Sequence, residues 1–168
     1  MTGTAESGVS VSGGWTVCTA GVHVPKQIEA EFIENRKLLQ AIIDTEPECV
    51  KLLAADGTLM LMNPAGLSMI QADSFEQVKG TPIYPLVVPE YREAFKKLTE
   101  DVFQGKTGNL AFELVGIKGR RLWLDTHVVP LRNDHDEIIA LLGITRNVTE
   151  RKQAVDVLKK ERDFTAAV

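Results

Sequence analysis

Apolar positions change their period along the chain, and each change marks an element. Over 26–46, Ile28, Phe32, Leu39, Ile42 and Ile43 recur on one stripe at helical spacing. Pro25 suits the first helical position, and Glu46-Pro47 ends the helix because a residue before proline avoids the α region. Short apolar runs at 49–54 and 58–62 flank Asp56-Gly57, which predicts a β-hairpin. Asn63-Pro64 supplies an N-cap and a first-turn proline for a short helix to about Gln71. Asp73-Ser74 caps a further short piece, and the stretch 81–88, with two prolines, is irregular. Pro89-Glu90 opens a longer helix with Tyr91, Phe95, Leu98 and Val102 on one face, closed by Gly105. Three strand-like runs follow at 109–116, 120–131 and 137–148, and after Thr149 the helical period returns through Ala154, Val157, Leu158, Phe164 and Val168.

Five short strands with helices gathered between the second and third predict one antiparallel sheet carrying helices on a face, an α+β fold. The domain organisation that follows is a tail (1–25), an amphipathic helix (26–46), a core (47–148) and a C-terminal helix (149–168). About half of the first 25 residues are Gly, Ser or Thr without any period, so that segment reads as a flexible tail.

Composition narrows the function classes. The net charge of -4 is spread over both signs, and no basic face for nucleic acid is visible. Cys18 and Cys49 are too far apart for a metal-binding pair and suggest no disulfide framework, and no apolar run approaches a membrane span. The expected setting is the cytoplasm, without membrane insertion. Gly13-Gly14 lacks the lysine and the strand-helix context of a phosphate loop.

Four segments carry a family resemblance: Cys49 through Asp56-Gly57 to Asn63, then Val78-Lys79-Gly80, then Trp123 with Pro130-Leu131-Arg132, and finally Gly143-Ile144-Thr145-Arg146-Asn147-Val148-Thr149-Glu150-Arg151-Lys152. Over roughly 38–152 the chain resembles the PAS domain of bacterial sensor histidine kinases and cyclic-dinucleotide enzymes. One departure is that the family usually has Asp where this chain has Asn147. The charge-assisted hydrogen bond of that strand-to-helix junction becomes a neutral, weaker one here.

The resemblance implies a sheet closed like a glove over a small cavity, with Met69, Leu98, Val102, Leu124, Thr126 and Thr145 as its walls. It also implies a signalling junction at Asn147 and Thr149. PAS haem domains take an axial His from the long helix, but the histidines here are His23, His127 and His135, all outside it. The reactive Cys of flavin photosensors would fall at Ile83, and their ring-binding amides at Leu124 and Thr145. Cys49 begins the first strand, away from the chromophore-linking place of photoactive yellow proteins. No haem, flavin or metal is therefore expected; a small, largely apolar ligand is the remaining candidate, and ordinary core is the alternative reading of the same residues.

Residues two apart along 120–131 share a face; similarity to flavin-binding members of the family implies that Leu124, Thr126 and Val128 point into the cavity and Trp123, Asp125, His127 and Val129 to the opposite face, and both faces are partly apolar. The functional expectation is a sensory or relay module, not itself an enzyme, that responds to a small ligand or partner and passes the change through its last helix to an output domain. Partners are a second copy, held by the flanking helices, and that downstream domain. The rivals are a ligand-free dimerisation spacer and a small α+β enzyme using Asp125 and His127 as an acid/base pair. Arg36-Lys37-Leu38-Leu39-Gln40-Ala41-Ile42 is echoed by Arg162-Asp163-Phe164-Thr165-Ala166-Ala167-Val168, which suggests that a second copy of the module begins at the C-terminus.

Overall fold

A computed structural model describes residues 15–17 and 23–167. Cys18 and Val168 lie outside them. Two units, 1–42 and 43–168, are taken separately.

The first unit contains β1 (Trp15–Val17) and β2 (His23–Pro25), a short antiparallel pair in which Thr16 faces Val24, and most of α1 (Lys26–Thr45). The described residues of the expected flexible tail, 15–17 and 23–25, pair as strands, and the remainder of that tail lies outside the described residues. The physical source of the pairing is the β-favouring Trp15-Thr16-Val17 and His23-Val24 within the Gly/Ser-rich stretch. Pro25 closes β2, so the helix starts one residue later than its proline signal implies.

In the second unit, β3 (Cys49–Leu53), β4 (Leu59–Met62), β5 (Gly108–Val115), β6 (Arg121–Arg132) and β7 (Ile138–Asn147) form one antiparallel sheet in the order β4-β3-β7-β6-β5. The β3–β4 hairpin turns at Asp56-Gly57. Gly57 has φ +81°, and a Cβ there would lie 2.3 Å from the Tyr84 ring, so both backbone and packing demand glycine. Between β4 and β5 come α2 (Pro64–Ile70), single 3₁₀ turns at Phe75–Gln77 and Tyr84–Leu86, and α3 (Pro89–Phe103). The prolines that break longer helices in 81–88 still permit the short 3₁₀ turn.

Asn63 ties this layer to the sheet. Its Oδ1 accepts from Gly66 N as the α2 cap and from Val50 N of β3, while its Nδ2 donates to the carbonyls of Ile43, Glu46 and Glu48. The core lies between the helical layer and the sheet: Phe95 of α3 packs edge-to-face on Phe112 and Tyr84, over Leu53, Val128 and Leu141. Burial of this apolar layer is the main stabilising term. The last helix, α4 (Thr149–Ala166), has no buried residue. No helix among the described residues is long and apolar enough to cross a membrane.

Candidate functional site: an inner cavity and the junction below it

Alternation along the strands decides which side chains reach the inner face. In β3, Cys49, Lys51 and Leu53 are buried while Val50 and Leu52 are only half-buried; in β6, Leu124, Thr126 and Val128 are buried while Asp125 and His127 are exposed. Under α2 and α3 the buried set leaves a cavity of about 20 Å³, lined by apolar groups of Met62, Met69, Ile83, Phe95, Phe112 and Leu124. Cys49, Lys51, Gly66 and Thr145 complete part of its wall. A Cβ on Gly66 would come within 2.6 Å of Met62 Cγ and 2.7 Å of Cys49 Sγ, so the bare backbone of α2 is what lets these groups meet.

Met69, Leu124 and Thr145 of the expected walls therefore line the cavity. Leu98, Val102 and Thr126 do not. Leu98 packs toward Gly108 at the start of β5, where a Cβ would sit 2.6 Å from its Cδ1, and Val102 is fully buried in the core cluster. The α3 side chain at the cavity is Phe95, about one helical turn before Leu98. Thr126 sits one step from the cavity in a polar cluster with Lys51.

Lys51 is the residue that sequence reasoning passed over. Its side chain is 3% exposed, and its Nζ donates to Thr145 Oγ1 at 2.5 Å and lies 3.5 Å from Thr126 Oγ1. The two threonines are opposite one another in the β6–β7 register, with hydroxyls 2.8 Å apart, and Thr126 Oγ1 is 3.3 Å from the Ile144 carbonyl. Burial lowers the Lys51 pKa from its ordinary 10.5, opposed by nearby Cys49. The same burial raises that of Cys49 above 9.0, opposed by Lys51. In each case burial penalises the charged form. The signal in the sequence was ambiguous, because Val50 and Leu52 offer an equally apolar alternate face that would have left Lys51 in water.

Below the cavity the sheet meets α4. Leu124, a cavity residue, is paired across strands with Asn147, and Val148 N donates to the Trp123 carbonyl. Trp123 N donates to Thr149 Oγ1 at 3.0 Å, while Thr149 N and Oγ1 both donate to Asn147 Oδ1. The Trp123 ring lies edge-to-face with Tyr91 at 5.9 Å, and the Lys152 ammonium sits 5.0 Å over it. One indole thus touches the first turns of both α3 and α4, a coupling no single sequence position announced.

On the opposite face, Asp125 and His127 share a shallow concavity with Glu48, Asn109, Ile144 and Arg146. His127 Nδ1 is 2.6 Å from Asn109 Oδ1, and Arg146 pairs with Glu48. Both candidate acid/base groups are exposed, in contact with water rather than in an enclosed site. Among the described residues no group of three or more His, Cys, Asp or Glu is arranged to hold a metal ion.

Comparison with known proteins agrees with this architecture. The sensor histidine kinase TmoS of Ectopseudomonas mendocina is 27% identical over 139 residues, which take in 79% of this chain and 14% of the kinase. The chain therefore spans about a seventh of that relative's length. Among solved structures, the PAS domain of an HTR-like protein from Haloarcula marismortui superposes with a TM-score of 0.64 at 18% identity, covering 73% of this chain and 98% of that one. An RNA-binding light-oxygen-voltage receptor superposes with a TM-score of 0.67 at 17% identity, covering 81% and 39% respectively. The PAS fold family model matches residues 43–153, more than half of the chain, which takes in the whole five-stranded sheet with α2 and α3 and the first turn of α4. The chain belongs to the PAS fold family.

Proposed function

We propose that this chain is a sensory or relay module of a larger signalling protein, in which occupancy of the inner cavity by a small, largely apolar ligand changes the sheet and hence the C-terminal helix. The carrying observation is the register: cavity residue Leu124 stands opposite Asn147, whose side chain accepts from Thr149 at the start of α4. A ligand can shift that junction only by binding two sheet arrangements with different affinity. The relative that is a sensor histidine kinase supports an output domain further along the same chain.

The module itself has no catalytic role in this reading, since Asp125 and His127 stand on the open face. It is cytoplasmic and takes no haem or flavin. Ile28, Phe32 and Leu39 of α1, and Val157, Leu158 and Phe164 of α4, are exposed, and a second copy covers them, giving a dimer whose paired helices carry the signal.

The cavity is only about 20 Å³, which supports a second reading as a ligand-free spacer. Native mass spectrometry of freshly purified chain, followed by thermal shift with a library of small apolar compounds, separates the two. A retained or stabilising small molecule is expected; the bare-chain mass together with no shift from any compound overturns the sensory reading. Sedimentation of the full chain beside versions lacking 28–43 or 154–168 tests the dimer, which fails if the full chain is monomeric or neither deletion weakens association. A stoichiometric haem or flavin absorption band contradicts the expected absence of chromophore.

A further inference from the structure

The strongest unexplained feature is a buried primary amine beside an apolar cavity. Protonated Lys51 has three N–H donors but two hydroxyl neighbours, so one donor is left without an acceptor among the described residues. None of the salt bridges among those residues involves Lys51, and the titratable group that faces it is the Cys49 thiol. A buried cation without an anion is costly, and removing it to water is prevented by the layer of α2 and α3 above. A single water fits beside Lys51 Nζ and the threonine hydroxyls, but it supplies an acceptor without a counter-charge.

We propose that the inner cavity takes a small monocarboxylate with an apolar tail, with Lys51 and the Thr126–Thr145 hydroxyl pair holding its carboxylate. This rests on the sensory reading above and names its ligand class. The carboxylate supplies the missing counter-charge and acceptor at Lys51, while the tail lies among Met62, Met69 and Phe95. Met62 and Met69 are unbranched thioethers, able to change rotamer and enlarge the space, and Lys51 itself reaches the wall on a flexible stem. Discrimination comes from charge: an alcohol of equal size gives an acceptor but leaves the ammonium without its anion. Thr145, two residues before Asn147, then carries the ligand contact directly toward the α4 junction.

The test uses the full chain with hexanoate and benzoate as probes, and 1-hexanol and benzyl alcohol as their neutral counterparts. In titration calorimetry the carboxylates are expected to bind at least about tenfold more tightly than the alcohols, and Lys51→Met is expected to abolish that preference while keeping alcohol binding. Lys159→Met, on the exposed face of the last helix, leaves it unchanged. In wild-type chain carrying ¹⁵N-lysine, hexanoate perturbs the Lys51 ζ-nitrogen signal, a readout that needs no variant to fold. Equal binding of acids and alcohols, a preference retained in Lys51→Met, or an unperturbed ζ-nitrogen overturns the carboxylate assignment while leaving an apolar-ligand sensor standing. Failure of all four probes to bind overturns the assignment as well, and the sensory reading then falls or stands on the wider library.

Discussion

The two faces of the same three strands obey opposite rules. On the inner face, Cys49, Lys51, Leu124, Thr126, Val128 and Thr145 are buried, and the polar groups there are hydrogen-bonded to each other. On the outer face, one residue along in each strand, Asp125, His127 and Arg146 are exposed and pair with surface neighbours. A shift of one residue exchanges these environments, so a polar group costs little on one face and several kcal/mol on the other. The lesson is that Lys51 and His127 are not equivalent as candidate functional groups: water satisfies the second, whereas only protein or ligand can satisfy the first.

The largest effect that sharpens this contrast comes from Leu124→Asp, which puts an unpaired carboxylate in the inner layer and is expected to destabilise by about 4 kcal/mol in denaturant melts. His127→Ala, in the next phase of the same sheet, is expected to stay within about 0.5 kcal/mol. Equal losses would show that the two faces are not distinct.

Asn63→Ala tests the link between helical layer and sheet. It removes the α2 cap and leaves the Val50 amide without its acceptor, so a loss of about 2–3 kcal/mol is expected by the same melts. A change under about 0.5 kcal/mol would mean that water replaces these bonds.

Lys51→Met asks whether the inner amine is a burden in the unliganded chain. Because the folded pKa of Lys51 is lowered, the unfolded chain holds the extra proton between that value and 10.5, so the wild type gains stability as pH rises through the interval. Cys49 acts in the reverse sense above 9.0, since its folded pKa is raised and stability is lost as pH climbs past the unfolded value. Melts between about pH 7 and 9 avoid that opposing range. Lys51→Met is expected to be at least as stable as wild type at pH 7, with the difference shrinking toward pH 9 by at most about 1.4 kcal/mol per pH unit. A difference constant with pH would mean that folded Lys51 keeps its proton throughout this interval.

The smallest effect is at the junction. Asn147→Asp places a charged acceptor at the two Thr149 donors and near the start of α4, and is expected to stabilise that end by a few tenths to about 1 kcal/mol. Slower amide exchange at the first turn of α4 is the measurement; unchanged or faster exchange would show that the neutral acceptor is already sufficient.

Local chemistry made much of the fold legible. Asp56-Gly57, Asn63-Pro64 and Pro89-Glu90 specify a turn and two helix starts through backbone preferences that operate within a few residues, and each stands where its signal lies. The period of two in β6 separated Leu124 and Thr126 from Asp125 and His127, and the family resemblance indicated which of the two sets faces inward, since both are partly apolar.

Tertiary structure decided the remainder, since it depends on which elements meet. Cys49-Val50-Lys51-Leu52-Leu53 has two apolar phases, and the pairing of β3 with β7 puts Lys51 opposite Gly143 in the inner one, where its amine meets Thr145. The cavity likewise meets α3 at Phe95 rather than at Leu98 or Val102, a matter of where the helix crosses the sheet that helical spacing alone leaves undetermined. Sequence periodicity names the residues that avoid water; only the crossing of helix and sheet selects which of them surround a space, and which polar group is trapped beside it.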